Sequence, residues 1–296
     1  RHATTAGCVM AIETPLTGNA LIHGHRIATG VHGPADGTPV VLIHGTPSHS
    51  VIWRNVVPPL VQAGLRVPVS DLLGFGASER PLAADTSVAG QEAVLDALME
   101  HWGLETAVVI AHDIGGPVGL RTAVHRPERL RALMLVDSVS YDSWPSETWR
   151  AIIRDHFAEY TAMTEADFRE MLTHQLRMTV HDPKVMTGEV LEAYLAPLSG
   201  PMGKVSFFHH QVRHYDSRYT EEITPALAKL RTPVRILWGD EDRWQPVAYA
   251  HRLASDISGA NLKTLPDTGH FSPEEAPAEV AAAIRDLARS HNQSVI

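Results

Sequence analysis

Three side chains, Asp113, Asp242 and His270, are of the types that covalent hydrolytic chemistry needs. Asp113 lies in Ala111-His112-Asp113-Ile114-Gly115-Gly116, between an apolar run and a helical pattern. The pattern small–x–nucleophile–x–Gly is that of a tight strand-to-helix elbow. Crowding there admits only small neighbours, and the strain holds the nucleophile up at the sheet edge. The amide of Ile114 then opens the helix and points at the reacting centre. The alternative use of Asp113 is plain N-capping of that helix.

Three more segments bear on the choice. In Leu42-Ile43-His44-Gly45-Thr46-Pro47, Gly45 lets backbone approach, and the Thr46 amide can serve as a second oxyanion donor. An ordinary turn is the other reading. Asp240, Glu241 and Asp242 follow a later strand, where acids are often only solvated turn residues. A histidine base, however, needs a carboxylate to fix its tautomer and stabilise its charge. Asp242 is the expected partner, ahead of Asp240. The base is expected at His270, in Asp267-Thr268-Gly269-His270-Phe271. Of the 18 histidines it alone falls between the last predicted strand and the last predicted helix.

An aspartate nucleophile narrows the chemistry. Attack on an ester would give a high-energy anhydride. Attack on an sp³ carbon instead gives an alkyl ester, which a water activated by His270 then hydrolyses at the Asp113 carbonyl carbon.

These residues need a scaffold that brings four loops to one edge. Residues 20–33 alternate and are punctuated by glycine, as in a β-hairpin. Continuous apolar runs then alternate with helical patterns. The runs are residues 39–45, 65–72, 106–113, 130–137 and 232–239, with a further strand over 260–267; helices are expected over 51–64, 87–103, 116–127, 246–257 and 273–290. This implies a mostly parallel sheet covered on both faces. From Ser138 to Thr224 the strand pattern vanishes and helical pieces such as residues 146–160 and 188–198 dominate. The expected organisation is a core of residues 1–137 and 225–296 with a helical cap, residues 138–224, inserted after the sixth strand. Ligands of open α/β sheets bind at the carboxyl ends of the strands.

Composition excludes other classes. With 296 residues, 44% apolar and 20% charged, the chain can bury a large core. A formal net charge of −9 and the lack of a basic cluster argue against nucleic acid. No run approaches the ~20 apolar residues of a membrane span, and residues 1–10 lack the apolar core of a signal peptide. One cysteine, Cys8, rules out an intrachain disulfide and fits a cytoplasmic location. His210 and His214 stand at one-turn spacing, but no further ligand cluster joins them. No metal and no cofactor are expected.

The motifs together resemble the α/β-hydrolases: HGTP (44–47), DLLGFGASERP (71–81), AHDIGG (111–116), WGDEDRWQP (238–246) and DTGHF (267–271). The likeness spans about residues 20–290, and the order nucleophile, acid, histidine is that of the fold. It implies the branch with an aspartate nucleophile, hence epoxide opening or carbon–halogen hydrolysis, with Asp137 a further choice of acid. Many haloalkane dehalogenases carry Trp and Asn where this chain has Ile114 and Thr46, and haloacetate dehalogenases commonly carry an Arg near the elbow. His-Gly-x-Pro fits epoxide hydrolases, whose caps supply tyrosine O–H donors. Epoxide hydrolysis is therefore the leading expectation, dehalogenation the alternative, and a non-catalytic small-molecule binding protein the alternative of another class. Tyr215 is the first-choice donor, with Tyr160 or Tyr141 second. Residues expected at the substrate are His44, Trp53, Tyr141, Trp144, Tyr160 and Tyr215. Asp71 is expected to fix a loop. The expected partners are a small apolar substrate and water, with a homodimer as one arrangement.

Overall fold

The computed structural model describes residues 11–292; Cys8 lies outside them. Eight strands form one sheet: β1 Gly18–Ile22, β2 His25–His32, β3 Val40–Ile43, β4 Val67–Ser70, β5 Ala107–His112, β6 Leu130–Val136, β7 Val234–Gly239 and β8 Asn261–Leu265. Their order is β1-β2-β4-β3-β5-β6-β7-β8. β1–β2 and β2–β4 pair antiparallel, and every other pair is parallel. The hairpin turn is His23-Gly24, with φ of 50° and 82°, the left-handed pair a two-residue connection requires.

The central strands explain the unbroken apolar runs. Every residue of β3, β4 and β5 is buried, and so is β6 except Arg131. Helices cover both faces, and the core divides into one cluster on each side of the sheet. Between β6 and β7 the described residues hold helices and no strand. No helix of the described residues is long and apolar enough to cross a membrane.

Three expected helices are interrupted, two of them at prolines. Residues 51–64 split into a 3₁₀ turn, Ser50–Trp53, and a helix, Val57–Gln62. Pro58 and Pro59 are well placed to open a helix but not to continue one. Residues 273–290 split at Ala276, which sits at φ −132° and ψ 54° because Pro277 follows it. Residues 146–160 carry a π-turn at Ile152–His156.

Candidate active site

From β3 the chain steps outward to β4, then crosses back to place β5 on the other side of β3. Such a reversal opens a crevice at the carboxyl ends of the strands. The loops after β3, β5, β7 and β8 deliver Thr46, Asp113, Asp242 and His270 to it.

Asp113 follows β5 at φ 54°, left-handed backbone that a non-glycine residue adopts only when its surroundings enforce it. The next helix, Gly115–His125, receives no side-chain cap, so the Asp113 carboxylate is not spent as an N-cap. Its surroundings leave no room. A Cβ on Gly45 would lie 2.4 Å from Asp113 Oδ1, and one on Gly116 would lie 1.7 Å from Ser138 Oγ. Gly45→Ala must therefore displace the carboxylate. Since a shift of about 1 Å at a reacting group costs on the order of 10²-fold, this variant should lose about that much kcat while melting close to the wild type. Steady-state kinetics beside a thermal melt checks it, and unimpaired turnover would contradict it.

The Thr46 amide donates to Asp113 Oδ1 at 2.8 Å. The Ile114 amide makes no hydrogen bond to that carboxylate. On the other oxygen, His270 Nε2 lies 3.0 Å from Asp113 Oδ2. His270 Nδ1 lies 2.8 Å from Asp242 Oδ2. The Asp242 carboxylate is itself fixed, because its Oδ1 accepts the amides of Trp244 and Gln245 at 2.8 and 2.7 Å. All three side chains are buried.

Burial works against charge at Asp113 and at His270, but the partners win. Burial acts to raise the Asp113 carboxyl, yet His270 and the Thr46 amide hold it below the usual carboxylate range. Burial acts to lower His270, yet the Asp242 and Asp113 carboxylates hold it well above an ordinary imidazole. Asp113 is thus kept ionised and His270 is paired on both sides.

The other acid candidates are placed differently. Asp240 is exposed. Asp137 is buried beside Asp242, but its hydrogen bonds go to the Gly239 amide and the Ser272 hydroxyl. Burial and the neighbouring Asp242 charge push its carboxyl well up, which disfavours its charged form behind the His270–Asp242 pair.

A cavity of about 70 Å³ opens over Asp113 and His270. Trp144, Trp149, Phe207, Tyr215 and Trp244 form much of its wall, and no Lys or Arg lines it. Tyr215 and Trp144 stand there as expected from the sequence. The Trp144 indole donates to Thr220 Oγ1 at 3.0 Å, so its ring faces the cavity with its N–H already used. The Tyr215 hydroxyl bonds Thr46 Oγ1.

Four expected substrate residues point elsewhere. The His44 ring is fully buried: Nδ1–H donates to the Gly45 carbonyl at 2.9 Å and Nε2 accepts from the Leu72 amide at 2.9 Å. Burial drives its pKa down to about 4, so it is a neutral strut between two loops. Trp53 sits in the core, edge-on to His112 at 6.5 Å. The Tyr141 hydroxyl donates to Asp256 at 2.7 Å, with Arg252 over its ring. Tyr160 packs behind Trp149 at 6.4 Å. Each lies beside the right motif or in the right segment, but core packing claims its ring.

His209 and His210 are also engaged, with His209 Nε2 meeting the Leu82 carbonyl at 2.8 Å. The His210 ring is held by Ser206 Oγ and the Pro81 carbonyl, and residues 207–211 form a π-turn rather than a regular helical face. Asp71 accepts the amides of Ser50 and Ala77 and ties two loops.

Sequence reasoning missed His112, Gln175, Thr179 and Gln211. Buried His112 donates from Nε2 to the His270 carbonyl at 2.8 Å. Burial lowers its pKa to about 4, so it stays neutral and braces the His270 loop. Gln175 and Thr179 line the cavity, and Gln211 accepts from Thr46 Oγ1 at 2.8 Å. Polar residues on the helices between β6 and β7 carry no pattern that separates a cavity wall from a solvent face.

Known proteins agree with this architecture. The model of the alpha/beta hydrolase fold family matches residues 38–277. A crystal structure of an alpha/beta hydrolase fold protein from Burkholderia ambifaria is similar at a TM-score of 0.85 and 33% identity, over 94% of this chain and 99% of that one. A protein named haloalkane dehalogenase 2 from Mycobacterium tuberculosis is 28% identical over 84% of this chain and 87% of its own. The structure of the epoxide hydrolase CorEH is similar at a TM-score of 0.74 and 26% identity, over 90% of this chain and 95% of that one. The chain belongs to the α/β-hydrolase fold family and is an enzyme of that fold, a hydrolase.

Proposed function

We propose that the protein hydrolyses small neutral epoxides to diols, with Asp113 as nucleophile, His270 as base and Asp242 as its acid partner. The observation that carries this reading is the Tyr215 phenol, bonded to the hydroxyl of the same Thr46 whose amide holds Asp113. An O–H donor therefore stands over the nucleophile, where an opening epoxide needs a proton.

Asp113 Oδ2, the oxygen not held by Thr46, attacks an epoxide carbon as the carbon–oxygen bond breaks. The released oxygen takes the Tyr215 proton. The Asp113 charge is then gone, and with it one of the two carboxylates that raise His270. The imidazolium then releases its proton to solvent, regaining one when Asp113 re-ionises, and as a neutral base draws a proton from water, which attacks the ester carbonyl. The Thr46 amide, joined by Ile114 as the carbonyl carbon becomes tetrahedral, stabilises the oxyanion. Asp242 offsets the imidazolium charge.

The cavity supports the substrate class. Its lack of Lys and Arg fits a neutral molecule rather than a haloacid. A cavity of about 150 Å³ holds benzene, so one of about 70 Å³ suits a compact substrate of a few carbons. In this reading residues 138–224 are the cap that supplies Tyr215, and substrate and water are the partners the reaction requires.

A dehalogenase is the second reading. It is favoured by Trp244, whose Nε1 is buried without a partner on a residue that lines the cavity, so an N–H is available for a halide. A pure binding protein would not need His270 aligned between two carboxylates.

Tyr215→Phe separates the two enzymes. General acid catalysis contributes about 10²–10⁴-fold, so the variant should lose that much in epoxide opening. Halide release from haloalkanes would be nearly unchanged. Diol formation from a panel of small epoxides, beside halide release from matched haloalkanes, is the test. Halide release without diol formation would turn the assignment to the dehalogenase.

A further inference from the structure

The geometry points to the Thr46 hydroxyl, anchored by Gln211, as the group that positions the Tyr215 phenol for protonating the opening oxygen. This deepens the epoxide reading and rests on it. Thr46 Oγ1 donates to Gln211 Oε1 at 2.8 Å and also contacts the Tyr215 hydroxyl. A threonine hydroxyl has one proton and two lone pairs. With its proton on Gln211, it can only accept from Tyr215. The resting chain therefore runs from Tyr215 O–H to Thr46 O–H to Gln211 carbonyl.

This polarity has two consequences. The phenol proton rests on Thr46 rather than on Asp113, so the nucleophile is not blunted by a hydrogen bond from its own acid. The phenol is also held at a fixed distance from Asp113, because the Thr46 backbone amide grips Asp113 Oδ1 at 2.8 Å. Gln211 is 3% exposed and ends a π-turn, a helix irregularity often found at functional sites.

The chain also serves the step itself. As the Asp113–carbon bond forms, the carbon–oxygen pair moves onto the leaving oxygen, which takes the Tyr215 proton. The new phenolate is a stronger acceptor than the Gln211 amide, so the Thr46 hydroxyl turns from Gln211 to the phenolate without giving up its proton. Ester hydrolysis restores the start. The water gives its hydroxyl to the Asp113 carbonyl carbon and one proton, through His270, to the departing diol oxygen. Its second proton, released when Asp113 re-ionises, returns to Tyr215. Epoxide plus water thus balances diol.

Thr46→Val keeps the backbone amide on Asp113 and deletes only the hydroxyl; Thr46→Ser restores it. Single-turnover kinetics on the full chain with a small epoxide separates ring opening from ester hydrolysis. A hydrogen bond to a group that becomes charged contributes about 1.5–3 kcal/mol, so Thr46→Val should open the ring roughly 10- to 100-fold more slowly. Thr46→Ser should open it at nearly the wild-type rate, and in Thr46→Val the slowing should fall on ring opening more than on ester hydrolysis. The ultraviolet titration of Tyr215, read as a difference against Tyr215→Phe, should shift upward in Thr46→Val, because the Thr46 bond lowers the Tyr215 pKa against burial. Gln211→Met provides the same readouts should Thr46→Val fail to fold, with a smaller slowing of ring opening expected. Wild-type ring opening in Thr46→Val, or in Gln211→Met where that must stand in, with Tyr215→Phe still impaired, overturns this inference and leaves the epoxide assignment standing. An unimpaired Tyr215→Phe overturns both.

Discussion

Asp113→Asn should abolish turnover, lowering kcat by at least about 10⁴-fold, the scale seen when a hydrolase loses its covalent nucleophile. A neutral amide oxygen attacks carbon poorly, and the charge that pairs with His270 disappears with it. The protein itself should stay folded. Asparagine is nearly isosteric, tolerates positive φ better than most residues, and can still accept the Thr46 amide on its side-chain oxygen. His270 keeps Asp242 as a counter-charge. Thermal melts near the wild type together with a lost product signal would agree with covalent catalysis. Residual turnover within tenfold of the wild type would mean that Asp113 only shapes the site.

His270→Gln should fail differently. Ring opening needs the Asp113 carboxylate, whereas ester hydrolysis needs a base to take a proton from water. The first step should survive and the second should slow by roughly 10⁴-fold, so the alkyl ester should accumulate. Intact-mass analysis after mixing with a small epoxide should show the protein heavier by one substrate, and peptide mapping should put the adduct on Asp113. A stoichiometric burst with no further turnover follows from the same reasoning. Loss of both burst and adduct would show that His270 is needed before, not after, the covalent step. In the proposed route the Asp113–His270 contact lets one imidazole serve both stages: its proton is held more tightly beside the free carboxylate than after that carboxylate is esterified.

The parts of this arrangement that depend on backbone constraint were legible in the sequence. Buried strands need unbroken apolar runs, and where they end the chain must turn, so Thr46, Asp113, Asp242 and His270 mark four strand ends by their position. Gly45 and Gly116 are small because a side chain would strike Asp113 or Ser138, which is why the elbow can be read without coordinates. The segment between β6 and β7 was legible only as helix. Tyr141, Tyr160 and Tyr215 are equally aromatic and lie in the same insertion. Tyr141 turns to Asp256 and Arg252, Tyr160 packs on Trp149, and Tyr215 reaches Thr46. That choice is made by packing between segments distant in sequence, which periodicity does not encode. Gln211 had no signal because one buried amide among many polar residues looks like any other. Pro58, Pro59 and Pro277 did carry a signal, and reading helices through them overextended the segments they interrupt.

The proposed catalytic route passes through an ester on Asp113. A single turnover in heavy-oxygen water, with enzyme in excess over epoxide, tests it most directly. Hydrolysis at the ester carbonyl should leave the heavy atom in the Asp113 carboxylate and none in the first equivalent of diol. Label in the diol, with Asp113 unlabelled, would mean that water attacks the epoxide directly and would contradict the covalent route.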